Sequence, residues 1–258
     1  MELQWIALKG LIYRELERCF RIWPQTLLPP IINITLYFII FGTILGDKIG
    51  QVEGYSYIQY IIPGLVMMSM LLNSYNNVVS SLFGARFQGF IEEMLVSPMK
   101  PSMILLGYIT GGVMRGVVVG FLVLIVALFF TSIKIHHIGL TIIVAVLATV
   151  LFSAAGFINA VFARKFDDVT IIPTFVIMPL TYLGGVFYSV SHLPESLRWL
   201  CYMDPIYYVI NVFRYAILDI QEVNFWLNMS ILSLFAAFVY KFFLLLAIKR
   251  EGSSTIVL

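Results

Sequence analysis

The chain has 258 residues, 60% of them hydrophobic and 12% charged, with a formal net charge of +2. A soluble domain carries about 25% charged residues, so an ordinary water-soluble protein is excluded, and so weak a positive balance gives no case for a nucleic-acid partner. Several stretches reach the roughly 20 apolar residues needed to cross a hydrocarbon core about 30 Å thick, which marks an integral membrane protein.

Met1 to Pro24 lacks the short apolar core and small-residue cleavage site of a signal peptide. It repeats Trp5, Leu8, Ile12, Leu16, Cys19, Phe20 and Trp23 at helical spacing. Two placements are open. The helix lies flat on the inner leaflet with Lys9, Arg14, Arg18 and Arg21 toward anionic headgroups, or it packs against the bundle.

Six spans are expected: Leu27 to Leu45, Tyr57 to Phe83, Met103 to Phe130, Ile138 to Phe162, Val169 to Phe187 and Phe225 to Ile248. Lysine and arginine resist translocation. An N-terminus in the cytoplasm puts Lys9, Arg14, Arg18, Arg21, Arg86, Lys100, Arg164, Lys165, Lys241, Lys249 and Arg250 inside, against Lys48, Lys134, Arg198 and Arg214 outside. Both termini are therefore expected in the cytoplasm. Cys19 and Cys201 then fall on opposite sides and cannot pair. One domain covers 1–258: interfacial helix 1–25, spans one and two 27–83, a connecting loop 84–101, spans three to five 103–187, an outer segment 188–224, and the last span with its tail 225–258. The Pro29-Pro30 pair reads as the start of the first span, where a missing N–H is harmless.

Along the second span Ser69, Asn73, Asn76 and Ser80 share a face within about 60° at 100° per residue. They line a substrate path or bond to neighbouring helices. Between spans two and three, Phe87, Phe90, Ile91, Met94 and Leu95 recur at helical spacing, with Arg86, Gln88, Glu92 and Glu93 opposite. This is a short cytoplasmic helix, ended by Pro98 and Pro101. In the third span Gly112, Gly116 and Gly120 form a small-residue face that suits close helix contact, within one chain or between two. Arg115 beside them is an intramembrane charge that needs a carbonyl, water, lipid phosphate or carboxylate. Arg164, Lys165, Asp167 and Asp168 make a charged turn after the fourth span, either solvated or a further partner contact. Pro173 and Pro179 in the fifth span read as hinges.

From Ile177 to Arg214 the chain runs apolar, breaks at Gly184-Gly185, drops to Leu193-Pro194, and resumes at Asp204-Pro205. Such a segment enters the bilayer and turns back beside a transport route. An ion pair between Asp204 and Arg214 could support it.

No Gly-x4-Gly-Lys-Ser/Thr sequence is present, so the chain has no phosphate cradle of that kind. The acidic residues all lie outside the centres of the spans, which leaves no buried carboxylate for ion coupling. His136, His137 and His192 sit in outer loops without metal-ligand spacing, so no metal is expected. No Ser, His and acid set lies at one depth, so no catalytic residue is expected.

Ile177, Leu180, Leu183, Gly184, Val186, Leu193, Pro194, Pro205, Ile206, Tyr208 and Arg214 stand at the spacings that mark ABC-2 type transporter permeases, and the chain resembles that family along nearly its whole length. The resemblance implies an all-α permease of an exporter in the bacterial inner membrane, without ATPase activity or cofactor of its own. ATP and Mg would be held by a cytoplasmic ABC ATPase, two copies serving a homodimer of permeases. It makes Phe90, Ile91, Glu92, Glu93, Leu95, Ser97 and Pro98 the coupling helix that docks on the ATPase. It also implies two re-entrant helices near Val190 to Leu200 and Asp204 to Arg214, with Gly184, Gly185, Pro194, Asp204, Pro205, Tyr208 and Arg214 forming an outer gate. The cargo would be a membrane lipid, glycolipid or other hydrophobic substrate. An ATP-independent scramblase or a secondary transporter is the alternative.

Overall fold

The computed structural model describes residues 2–96 and 99–251, all but a small hairpin of it helical or irregular. Helix α1 (Glu2–Arg21) leads into α2 (Trp23–Tyr37), which widens into a π-helical turn over Phe38–Ile44. A short α3 (Gly46–Ile49) and the strands β1 (Gln51–Val52) and β2 (Tyr55–Ser56) precede α4 (Tyr57–Phe87). Then come α5 (Phe90–Val96), α6 (Pro101–Phe130), α7 (Ile138–Phe162) and α8 (Phe166–Ile172). A second π-turn, Pro173–Ile177, joins α8 to α9 (Met178–Leu183). The chain ends with α10 (Glu195–Met203), α11 (Pro205–Leu218) and α12 (Phe225–Glu251).

Among the described residues, five helices are long and apolar enough to cross a membrane: Trp23–Gly42, Tyr57–Phe87, Pro101–Phe130, Ile138–Phe162 and Phe166–Leu183. The sixth expected span falls on α12, whose apolar stretch Trp226–Val239 is described; its side chains beyond Lys241 lie outside the described residues. The Pro29-Pro30 pair does not open the first span. Both prolines sit inside α2, which begins at Trp23 with Pro24 in its first turn, where the absent N–H costs nothing.

Helix α4 is the axis, with 83% of its apolar stretch buried, against 17% for Trp23–Gly42 and for Phe166–Leu183. Its neighbours approach through glycine. A Cβ built on Gly156 of α7 would lie 2.6 Å from the Tyr75 carbonyl oxygen, and one on Gly64 would lie 2.8 Å from Val186 Cα. The Gly112, Gly116 and Gly120 face is used within one chain. A Cβ built on Gly112 would meet Val78 and Ser153, one on Gly116 would lie 2.8 Å from Thr149 Cγ2 and 3.0 Å from Ser74 Cβ, and one on Gly120 would meet Met70. Backbone contact without a side chain between is how helices gain packing where water cannot drive association.

Helix α4 has 31 residues and α6 has 30. At about 1.5 Å per residue each reaches about 45 Å, some 15 Å more than the hydrocarbon core. The far ends of both helices are held at one level, Gln59 Nε2 donating to the Ser132 carbonyl at 3.0 Å. At the other end α5 joins α4 to α6.

Candidate functional site

At the α5 end, Gly89 takes a left-handed backbone (φ 79) that any larger residue would strain, and this breaks α4 from α5. Ile91 is buried, while Phe90 is 48% and Val96 90% exposed. Glu92 and Glu93 lie exposed in the first turn, where carboxylates favour the positive end of the helix. Ser97, Pro98 and the Leu95 side chain lie outside the described residues.

Arg86 does not take the polar face expected for it. Its Nη1 donates to the carbonyls of Ala160 (3.0 Å), Val161 (2.8 Å) and Ala163 (3.2 Å). Those carbonyls are left over by the last turn of α7, and a guanidinium at the negative end of a helix satisfies them. The Tyr108 hydroxyl of α6 accepts from Arg14 at 3.0 Å and contacts Met94 Sδ at 3.9 Å, so α1, α5 and α6 meet at one oxygen.

Helix α1 packs against the bundle through Leu8, Leu11 and Glu15, a face offset by about one residue from the expected one. Trp5, Ile6, Tyr13 and Phe20 stay exposed on its other side. Leu11 fills the space over Gly107, and Glu15 Cβ lies 2.9 Å from where a Cβ on Gly111 would stand. Arg14 and Arg18 turn inward. Glu15 is 0% exposed; Ser81 Oγ donates to its two oxygens at 2.8 Å each, Arg14 approaches at 3.2 Å and Arg18 at 3.3 Å. The expectation that no carboxylate is buried is therefore corrected. Glu15 and Asp204 are buried and the half-buried Glu222 has its side chain only 6% exposed, though none lies at the centre of a span. Each enters from an element outside the spans, where a sequence scan of the spans cannot see it.

The polar stripe of α4 divides. Ser69 and Asn73 are buried, Asn76 is half-buried and Ser80 is exposed. Asn73 accepts from Arg115 at 3.3 Å and donates to the Ser69 carbonyl at 2.9 Å, whereas Ser80 bonds only to the Asn77 carbonyl at 3.2 Å. Asn77, absent from the expected stripe, accepts from Arg18 at 2.8 Å and from Cys19 at 3.4 Å. The signal that could have found this set is the pair Gly107 and Gly111, one turn apart on α6 and opposite Leu11 and Glu15, one turn apart on α1. At the charged turn, the amides of Arg164 and Lys165 donate to Asp168 Oδ2 at 2.8 and 3.0 Å, which fixes the start of α8.

At the opposite end, Gly185 has φ 78 and reverses the chain after α9. The two helices of this segment run Glu195–Met203 and Pro205–Leu218, against the expected Val190 to Leu200 and Asp204 to Arg214. Pro194 caps α10, and Pro205 stands in the first turn of α11. Tyr208 Oη donates to the Tyr202 carbonyl at 2.8 Å, holding α11 against α10.

Asp204 and Arg214 do not pair. Asp204 Oδ1 accepts from the Ile206 amide at 2.8 Å as an N-cap, while its Oδ2 is buried without a partner. Arg214, 0% exposed, donates to the Gly185 carbonyl at 2.6 Å, reaches Glu222 at 3.5 Å and lies 4.2 Å over the Tyr60 ring. Tyr60 Oη in turn donates to Glu222 at 2.6 Å. Arg214 points back one helical face from Asp204, so the reversal carbonyl and the later Glu222 are its natural partners. His136 and His137 are not free loop side chains. His136 Nδ1 meets the Ile217 carbonyl at 3.0 Å, and His137 Nε2 meets Asp219 at 3.2 Å.

Burial pushes the Asp204 carboxyl up from its ordinary 3.8 to about 7. The folded chain then binds this proton more tightly than the unfolded chain, so stability rises as pH falls from about 7 toward 3.8. Asp204→Asn keeps an oxygen to cap Ile206 and is expected to flatten that slope. Thermal melting in detergent from about pH 5 to pH 8 measures it. An unchanged slope in the variant would locate the proton elsewhere.

The ABC-2 type transporter family model matches residues 6–218. The chain is 49% identical over 240 residues to the inner membrane transport permease YadH of Escherichia coli K12, covering 93% of this chain and 94% of that protein. It is 26% identical over 212 residues to nodulation protein J of Sinorhizobium fredii, covering 81% and 79%. Nodulation protein J of Neorhizobium galegae matches at 24% over 254 residues, covering 96% and 94%. With a family match over residues 6–218, a relative 49% identical over 93% of the chain and several helices long and apolar enough to cross a membrane, the chain belongs to the ABC-2 type transporter family, as a multi-pass permease of the inner membrane.

Proposed function

We propose that the chain is the permease of an ABC exporter, working as a homodimer with two copies of a separate cytoplasmic ATPase. The α5 end faces the cytoplasm, and the cargo is a lipid-like, glycolipid or other hydrophobic molecule of the membrane. The observation that carries this is α5 itself, which joins α4 and α6, two helices about 15 Å longer than a hydrocarbon core requires, and which on this reading stands beyond that core. It carries exposed Phe90 and Val96 beside exposed Glu92 and Glu93. Apolar side chains at that height have no lipid to cover them and suit a protein partner.

The route from partner to far end follows α4. A push on α5 reaches α1 and α6 through Tyr108 and α7 through Arg86. The same rod carries Gly64, packed on Val186, Tyr57, whose hydroxyl donates to the Phe187 carbonyl at 2.9 Å, and Tyr60, bonded to Glu222. A tilt of α4 therefore moves the reversal, where Gly184, Gly185, Pro194, Asp204, Pro205, Tyr208 and Arg214 frame the outer gate. Arg115 and Asn73 stand at the path the cargo takes from the inner leaflet.

Glu92→Lys with Glu93→Lys is expected to abolish permease-dependent stimulation of ATP hydrolysis while leaving insertion intact. Co-purification and ATPase assay of the complex in nanodiscs measure this. Undiminished stimulation would remove α5 from the coupling role. Transport that persists without ATP would mark a scramblase or secondary transporter instead.

A further inference from the structure

Three helices converge at the level of Asn77 and Gly111 with too many hydrogen-bond donors and too much positive charge. Arg14 and Arg18 come from α1, and Arg115 from α6. Glu15 answers both Arg14 and Arg18, while Arg115 bonds to the neutral Asn73, so one carboxylate stands against three guanidinium charges in the cluster and two positive charges remain. Arg18 and Arg115 lie close enough to repel each other, and the Cys19 thiol feels both. Three buried N–H groups there find no acceptor among the described residues: Arg18 Nε, Arg115 Nε and Asn77 Nδ2. Asn77 is 1% exposed. One comes from each of α1, α6 and α4, and all three are donors. A buried donor left unmade costs about 1–3 kcal/mol, so three on neighbouring side chains, Arg18 bonded to Asn77 and set near Arg115, call for a group that supplies acceptors and negative charge together.

The depth names that group. On the orientation proposed above, about 20 residues counted from the Gln59–Ser132 end of α4 and α6 put the edge of a core about 30 Å thick near Asn77 and Gly111, next to the headgroup region that carries the lipid phosphates. Exposed Trp5, Ile6, Tyr13 and Phe20 on the other side of α1 are the surface that meets acyl chains and headgroups. We propose that the junction of α1, α4 and α6 is a binding site for the phosphate of an anionic lipid, held by Arg18, Arg115 and Asn77. The proposal needs the chain to be in a membrane; the orientation given above decides only that the inner leaflet supplies the lipid. It does not require that this lipid be the cargo. Charge-assisted bonds to a phosphate are about twice as strong as neutral ones, and arginine matches its oxygens in pairs.

The test uses the full-length permease, purified and then relipidated with phosphatidylglycerol or phosphatidylcholine, with retained lipid counted by native mass spectrometry. Wild-type protein is expected to keep phosphatidylglycerol preferentially. Arg115→Gln, which forfeits one side-chain bond to Asn73 and should fold, is expected to cut that retention by about tenfold. Arg21→Gln, an exposed arginine paired with Glu17, is expected to leave it unchanged. A second readout is alkylation of Cys19, which phosphatidylglycerol should slow in the wild type and not in Arg115→Gln. Equal retention of the two lipids, or full retention by Arg115→Gln, would overturn the site. Protection of Cys19 by millimolar inorganic phosphate with no lipid preference would show a soluble anion site and overturn the lipid assignment.

Discussion

Arg214→Gln is expected to destabilise the permease by about 3–5 kcal/mol, because removing one member of a buried pair leaves the other charge uncompensated. The guanidinium is 0% exposed and its loss also frees the Gly185 carbonyl, which it grips at 2.6 Å. That carbonyl stands in the reversal that follows α9. The double variant Arg214→Gln with Glu222→Gln is expected to recover part of the loss, since the neutral amide still accepts from Tyr60 and no charge is stranded. Heating in detergent followed by size-exclusion recovery compares wild type, single and double variants. A single variant as stable as wild type would mean that the reversal is held by apolar packing alone.

Glu15→Ala is expected to release α1 from the bundle. The substitution takes the carboxylate from Arg14 and Arg18, which keep only Tyr108 and Asn77, and leaves the Ser81 hydroxyl without its acceptor, a cost of about 1–3 kcal/mol. Glu15→Gln should be milder, because the amide oxygen still accepts from Ser81. Cys19 reports the outcome, since it lies one turn further along the same helix and donates to Asn77 at 3.4 Å. Its alkylation should speed up by about tenfold or more in Glu15→Ala, the factor expected when each 1.4 kcal/mol of local opening is lost. Alkylation at the wild-type rate would show that Leu8 and Leu11 suffice to hold α1.

Much of this was legible in the residues. Five of the expected spans are set by length and hydropathy, and the structure moves their ends by a few positions. The break at Gly184-Gly185 and the glycine face of α6 are visible because glycine has few other reasons to recur there. Ile91 and Met94 turn inward on α5 as helical spacing requires, whereas Phe87 and Phe90, expected on the same face, stay exposed. The misses are all partnerships. Glu15 and Arg86 are charged, so composition assigns them to water, and only the glycines of α6 and the open carbonyls of α7 make room for them. Glu222 sits eight residues beyond Arg214 in an irregular loop with no period to read. The pairing of Asp204 with Arg214 was plausible from spacing alone, but a helix cap and a reversal carbonyl each claimed one of the two.

The two π-turns divide the molecule mechanically. Phe38–Ile44 and Pro173–Ile177 interrupt the two helices that are least buried, while α4, α6 and α7 run without such a break. A wide turn weakens the regular ladder and lets a helix bend or shift its register at small cost. The two soft points are also linked, through Tyr37 and Tyr182 hydroxyls 3.3 Å apart and Phe41 and Phe187 rings 4.7 Å apart. The permease thus has a stiff keel and a compliant rim, with its give concentrated along the single edge most free to meet lipid or a second copy.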